Sequence, residues 1–201
     1  MDFPTNRLEA LTDGIFAIAM TILVVSLDIP HLSGGAANGD VSFFLFGQAH
    51  KILNYFLSFV LLAVFWIQHH EQSHVTDRTD NSHLWINMFL LMFISLIPFT
   101  TSLISTFTFD RLDEGIFGFN ILLIGILFYA NLYYAGTRDC ISKNCKDQPT
   151  LMQSLKAKAI ITPAVAIAGI IFALFTPYYS PFVYLLIPIF MVIKSGKKRS
   201  Q

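Results

Sequence analysis

A histidine-rich stretch of this chain has the spacing of a metal site. His70, Glu71 and His74 form the pattern H-E-x-x-H, which on a helix places two imidazoles one turn apart for zinc and a glutamate to act as the base. A zinc protease also needs a third protein ligand. No second motif selects one among the nearby candidates, so zinc proteolysis is kept only as an alternative. These candidates are Asp77, Asp80 and His83.

The same stretch permits two other roles. His69, His70 and His74 lie at one end of an apolar segment, where they can form hydrogen bonds between neighbouring helix ends. Histidine also titrates near neutral pH, so the three side chains could sense protons. The spacing alone does not decide among metal binding, structural bonding and pH sensing.

A second candidate lies in the first apolar segment, where seven residues recur at alternating steps of four and three. At about 100° per residue they share one narrow helix face. Such a face suits close packing of helices in lipid. It equally suits a pore lining, with apolar constrictions at Ile18 and Val25 and a carboxylate at the mouth, Asp28. We call this face the stripe, and its residues are Arg7, Leu11, Gly14, Ile18, Thr21, Val25 and Asp28.

Several polar residues are expected at one membrane depth. Asp13 follows Glu9 by one turn near the start of the first segment, and an ionisable side chain in a membrane normally has a partner or water. Asn87 needs a partner in a neighbouring helix. Trp66 and Trp85 flank the same boundary, where indoles anchor well. The residues predict either a network between helices or an interfacial belt.

The elements that must position these residues are membrane helices. Of 201 residues, 54% are apolar and 13% are charged, and the mean hydropathy is +0.60. Soluble proteins average about 45–50% apolar and about 25% charged residues. Thirteen basic residues balance thirteen acidic ones. This composition excludes a soluble globular domain, a disordered chain and a basic protein that binds nucleic acid.

The sequence predicts an all-α fold with six transmembrane helices in one domain, 1–201. A helix needs about 20 residues to cross the hydrocarbon. The charge-free stretch 159–193 is too long for one crossing and contains Pro177 and Pro181, so we expect a helical hairpin there. The predicted spans are 8–29, 48–70, 84–106, 114–137, 157–175 and 180–194.

Six spans place both termini on one side of the membrane, and the basic residues indicate which side. Eleven lysines and arginines fall in segments on the side of the termini, whereas only Lys51 and Arg111 fall opposite. Basic residues are enriched in cytoplasmic loops. We therefore expect a protein of the cell membrane with both termini in the cytoplasm.

Four linked pieces of sequence resemble one family. The segment 7–18 is similar to the first-helix signature R-x-x-x-F-S-D of the transmembrane-protein-175 potassium-channel family, in its single-repeat prokaryotic form. Leu11 and Thr12 stand where Phe and Ser are usual, which keeps an apolar side chain and a hydroxyl. The other pieces are Trp66-x-x-His69-His70, Leu84-Trp85-x-Asn87 and Pro98-Phe99.

This resemblance implies a homotetramer whose first helices line a central pore. The family places a bulky apolar residue five positions after the signature aspartate, which is Ile18 here, and Thr21 and Val25 follow on the same face. The chain has no T-V-G-Y-G filter, in agreement with an apolar constriction. The implied supporting network consists of Arg7, Asp13, Trp66, His69, Trp85 and Asn87.

The implied function is passive conduction of potassium, not enzymatic catalysis. The expected partners are K⁺, other monovalent cations, membrane lipid and further copies of the chain, with no cofactor and no bound metal. Besides the zinc protease, a proton-coupled transporter that uses Asp13 and His69 is kept as an alternative. Transporters often show paired repeats and broken helices, and neither is visible in the first three segments.

Overall fold

The computed structural model describes residues 5–25, 27, 47–77, 79–107, 111–138, 140–142, 149–176 and 179–196. These residues are almost entirely helical, as predicted. An isolated β-bridge joins Thr76 to Ile141 in two of the connecting loops. The helices in chain order are α1 (Thr5–Val25), α2 (Ala49–His74), α3 (Asn81–Ser95), α4 (Ile97–Thr106), α5 (Arg111–Thr137), α6 (Pro149–Phe175), α7 (Ser180–Val183) and α8 (Leu186–Gly196).

Among the described residues, five helical segments are long and apolar enough to cross a membrane, and a shorter apolar segment, Ser180–Lys194, follows them. Most of the helices extend beyond the predicted bounds, and the largest differences are at α6, which begins at Pro149, and at α2, which continues to His74. Polar turns at the membrane boundary continue these helices. The predicted end of the first span, at 29, lies outside the described residues. The five long segments are Arg7–Val25, Ala49–His74, Asn81–Thr106, Arg111–Thr137 and Thr150–Phe175.

Proline explains why the third span is divided into α3 and α4. The helix is interrupted at Leu96, two residues before Pro98, whose nitrogen has no proton to donate to the carbonyl of Ile94. The Leu96 amide donates to the carbonyl of Phe93, three residues earlier, over 3.2 Å. A bond of this spacing makes a tighter turn than that of an α-helix. The third span therefore changes its local geometry halfway across.

Successive spans run in opposite directions. Ser73 at the end of α2 donates to Glu9 near the start of α1 over 2.8 Å. At the other end of the bundle, Ser180 at the start of α7 donates to Glu114 near the start of α5 over 2.7 Å. The start of α1 and the end of α2 thus lie on one side, and the start of α5 lies on the other.

A core of aromatic and branched aliphatic side chains fills the bundle. α5 and α6 approach closely because Gly125 faces the backbone of Pro163, and a Cβ at position 125 would lie 2.6 Å from the Pro163 nitrogen. The outer surface is also apolar, with Phe175 77% exposed and Val192 69% exposed, as expected where lipid is the solvent. The largest buried side chains include Phe16, Phe65, Phe117, Phe128 and Tyr184.

Candidate functional site

α1 packs against its own subunit through one face only. Thr12, Phe16, Ala19 and Leu23 recur at steps of four and three, and each is at most 2% exposed. Of the five long apolar segments, α1 is the least enclosed: 22% of it is buried, compared with 39–50% of the others. The subunit therefore holds α1 along a single narrow line.

The stripe lies on roughly the opposite side of α1 and is uncovered in the subunit. Ile18 is 59% exposed and Val25 is 72% exposed, and no atom outside the adjoining part of α1 lies within 4 Å of a Cβ built on Gly14. The hydroxyl of Thr21 is exposed and donates to the Ile18 carbonyl over 2.8 Å. The stripe thus does not pack within its own subunit, whereas lipid, another subunit or a pore can face it. Asp28 lies outside the described residues.

Asp13 and Trp66 are joined directly. The indole Nε1 of Trp66 on α2 donates to Oδ1 of Asp13 on α1 over 2.9 Å. The Trp66 ring also stacks on His70, with 6.0 Å between ring centroids. Trp66 therefore connects two helices, which an interfacial anchor in contact with lipid alone does not do.

His69 and Asn87 form a buried link between α2 and α3. The two side chains are 4% and 2% exposed. Nε2 of His69 lies 3.1 Å from Oδ1 of Asn87, and since that oxygen can only accept, the imidazole donates from Nε2. The His69 ring also lies 6.5 Å from the ring of Phe16 on the packed face of α1. Both side chains therefore lie behind α1, in the interior of the subunit.

The network continues through residues that the sequence interpretation missed. Nδ2 of Asn87 donates to Oδ1 of Asn131 on α5 over 3.0 Å, and Asn131 donates to Gln72 on α2 over 3.1 Å. Gln72 donates in turn to the carbonyl of Phe128 over 3.2 Å. Asn131 carries the same signal that identified Asn87, namely an amide in an apolar span.

Two predicted members are not joined to this network within one subunit. Trp85 is 60% exposed, and its ring contacts Phe89 of the same helix, with 6.1 Å between centroids. Arg7 is exposed, and no described residue forms a hydrogen bond or an ion pair with it. Both side chains therefore face away from the buried amides.

The residues of the H-E-x-x-H pattern contact one another and α6 within the helix bundle. Nζ of Lys158 on α6 lies 2.6 and 2.7 Å from the two carboxylate oxygens of Glu71, so an ion pair holds the group that a protease would use as its base. The rings of His70 and His74 are 6.4 Å apart. Among the described residues, no three His, Cys, Asp or Glu side chains are placed to hold a metal ion.

Asp80 connects the α2–α3 loop to α5. Its carboxylate accepts from the backbone N–H of His83 over 2.8 Å, which caps α3, and from the hydroxyl of Tyr134 over 2.7 Å. These hydrogen bonds stabilise the ionised form, and the first contributes most to lowering the pKa of Asp80 below its ordinary value. The Tyr134 ring also stacks on His83, with 5.9 Å between centroids.

Comparison with known proteins identifies the family. Residues 7–98 match the family described as the endosomal/lysosomal potassium channel TMEM175. A protein of Chamaesiphon minutus named a potassium channel is 32% identical over 138 residues, which are 67% of this chain and 68% of that relative. The chain belongs to the TMEM175 family.

Similarity to TMEM175 proteins extends over nearly the whole chain. A potassium channel of Chryseobacterium sp. strain P1-3 is 29% identical over 188 residues, covering 94% of this chain and 92% of the relative. The crystal structure of a lysosomal potassium-selective channel TMEM175 homolog from Chamaesiphon minutus matches with a TM-score of 0.82 at 25% identity, covering 95% and 97% of the two chains. The predicted family and fold class are confirmed. The family is one of multi-pass ion channels, not of enzymes, and this excludes the alternative of a zinc protease.

Proposed function

We propose that this TMEM175 protein is a potassium-permeable channel in which four copies surround a pore lined by α1. The names of its relatives support the choice of ion. The observation that carries the proposal is the exposure of the stripe on a helix whose other face is fully packed. One α1 cannot enclose a pore, so several subunits must contribute.

In this channel Ile18 forms the constriction. Four such side chains around an axis exclude water when they are close together and admit a partly hydrated ion when they separate. Thr21 lies one turn away, and since its proton is donated to the Ile18 carbonyl, its oxygen can face a cation. Val25 adds a second apolar ring, and Asp28 raises the local concentration of cations at the mouth. K⁺ and other monovalent cations are the permeant ions.

The polar network keeps α1 in position beside the pore. Two hydrogen bonds attach the start of α1 to α2, from Trp66 to Asp13 and from Ser73 to Glu9. Farther along α1, Leu23 packs in the apolar core of the subunit.

The proposed location is the cell membrane, with both termini in the cytoplasm. The eleven-to-two distribution of basic residues supports this orientation. It places the start of α1, with Asp13, on the cytoplasmic side, and the stripe then leads outward towards Asp28. A cation leaving the cell would meet Ile18 before Thr21 and Val25.

Potassium flux from liposomes tests the role of Ile18. We expect Ile18→Asn to raise K⁺ flux and to reduce discrimination between K⁺ and Na⁺, because a polar ring at the constriction stays hydrated. Ile126→Asn is the matched control, since Ile126 is 47% exposed on α5 and should leave both quantities unchanged. Equal flux and equal discrimination in Ile18→Asn and wild type would show that Ile18 does not line the pore. Absence of flux through an intact wild-type tetramer would refute the channel itself.

A further inference from the structure

The break in the third span contacts a polar side chain of another helix. In a continuous α-helix, the carbonyl of Phe93 would accept from the N–H four residues later. In the structure it accepts from the Leu96 amide over 3.2 Å and from Nδ2 of Asn120 on α5 over 3.3 Å. Side chains of neighbouring helices that bond to the backbone at a break allow a membrane helix to tolerate proline. Asn120 therefore stabilises the interrupted form of the third span.

The burial of Asn120 makes this hydrogen bond important to the side chain itself. Asn120 is 5% exposed, and an amide in an apolar span is unfavourable without a partner. The bond to Phe93 is the hydrogen bond that the structure records for its Nδ2. Its Oδ1 has no partner among the described residues. The buried amide thus obtains its hydrogen bond at the break.

The end of α1 lies at the depth of the break. The ring of His69 is 6.5 Å from that of Phe16, and its Nε2 is 3.1 Å from Asn87. α1 and the third span begin on the same side and rise by about 1.5 Å per residue, so Leu23 lies near the level of Ile94. These two residues belong to one buried core, and α1 packs against both α3 and α4. The angle between α3 and α4 therefore determines the surface against which α1 ends.

We propose that Asn120 is a positioning residue for the end of the pore-lining helix. By its bond to the Phe93 carbonyl it fixes the angle between α3 and α4, and α4 supports α1 near Val25. Without this donor the break changes its geometry, and the end of α1 must pack differently. The effect on conduction rests on the proposed channel function, whereas the contact itself lies within one subunit.

Amide hydrogen exchange of the full-length protein in detergent tests this positioning without ion flux. Asn120→Leu keeps the branched shape of the side chain but cannot donate to Phe93. We expect exchange to accelerate by about two- to tenfold at the break and at the end of α1, and to stay unchanged at the start of α1. Asn120→Ala, which cannot overpack, should act in the same way. Ser95→Ala is the matched control, because its hydroxyl donates to Met92 of its own helix over 2.7 Å, and it should leave exchange at the end of α1 unchanged.

A variant of the proline connects the effect to the break. Pro98→Ala supplies an N–H that can donate to Ile94, so the helix can become continuous and Phe93 can accept from its own helix. Adding Asn120→Leu to Pro98→Ala should therefore change exchange less than Asn120→Leu does alone. Unchanged exchange at the end of α1 in Asn120→Leu, or an equal effect of that substitution in both backgrounds, would overturn the proposal.

Ion flux from liposomes tests the consequence for the pore. Asn120→Leu should change the discrimination between K⁺ and Na⁺ by about twofold or more, whereas Ser95→Ala should not. Unchanged discrimination in Asn120→Leu, next to a conducting wild type, would overturn the assignment of Asn120 as a positioning residue for the pore. Absence of flux in the wild type would refute the channel, while accelerated exchange at the end of α1 would still support the contact within the subunit.

Discussion

The close approach of α5 to α6 predicts that a single methyl group at position 125 destabilises the protein. A Cβ on Gly125 would lie 2.6 Å from N, 2.7 Å from Cδ and 3.1 Å from Cα of Pro163. Carbon atoms prefer about 3.5–4.0 Å, so the helices must separate by about 1 Å. Overpacking of this kind costs about 1–3 kcal/mol, and we expect the upper part of that range because most of the opposing atoms are backbone.

The higher helix propensity of alanine partly offsets this cost, and substitution of a second glycine measures the propensity effect alone. Replacing Gly by Ala within a helix gains about 1 kcal/mol, so Gly125→Ala should lose about 1–2 kcal/mol in total. Gly115 lies on the same helix with no atom within 4 Å of its Cβ position, so Gly115→Ala should gain up to about 1 kcal/mol.

Thermal unfolding of the two variants in detergent measures this difference. For a chain of this length, each kcal/mol shifts the midpoint by about 2–4 °C. We expect Gly125→Ala to lie about 2–8 °C below the wild type and Gly115→Ala to lie at or above it. If both variants shift in the same direction by a similar amount, the close contact with Pro163 does not hold these helices together.

Two further changes test contacts at the end of the bundle where α2 ends and α3 begins. Asp80→Ala removes the acceptor for His83 and Tyr134 and should lower stability by about 1 kcal/mol, as measured by thermal unfolding at pH 7. Since folding lowers the pKa of Asp80, this contribution is complete above the unfolded pKa of about 3.9 and disappears as the pH falls through the folded pKa. Variant and wild type should therefore converge in strong acid, and a constant difference would contradict this. Glu71→Gln replaces the ion pair with Lys158 by a hydrogen bond to a neutral amide and should cost about 1–2 kcal/mol, less than the about 3–5 kcal/mol of a fully buried pair. Its K⁺-to-Na⁺ discrimination in liposomes should equal that of the wild type, and an altered ratio would place this pair in the conduction path.

The helical segments could be predicted because charged residues are sparse. The stretches between charges mark the spans, and the prolines at 177 and 181 predict the break that separates α6 from α7. The interruption at Leu96 was not predicted, although Pro98 was visible in the sequence. Hydropathy records how apolar a segment is, whereas the effect of a missing N–H depends on the hydrogen bonds of the turn before it.

Part of the polar network could be predicted because a polar side chain in an apolar span must find a partner. That reasoning identified Asp13, Trp66, His69 and Asn87, and the structure shows hydrogen bonds for each of them. It did not identify Asn131 as the next link. The choice of partner depends on the rotation of each helix about its axis, which the apolar composition of a span does not determine.

The rotation of α1 about its own axis could not be predicted from the sequence either. Two sets of residues on this helix recur at steps of four and three, one from Leu11 to Val25 and one from Thr12 to Leu23. Either set could form a seam, and the resemblance to the family pointed to the first as pore lining. The structure shows that the second set packs within the subunit. The sequence period alone does not distinguish the two sets, because burial depends on the positions of the neighbouring helices.

In the proposed tetramer, the uncovered face of α1 has a consequence for the assembly of subunits. A newly inserted subunit exposes Ile18 and Val25 to acyl chains, and the assembly proposed above would exchange lipid for protein without a gain in apolar burial from water. Close packing and the crowding of subunits in the plane of the membrane must then favour association. At low expression, newly synthesised subunits would remain monomeric. Their assembly would depend on the number of copies per unit area of membrane, so the abundance of the chain would itself regulate how many complete complexes form.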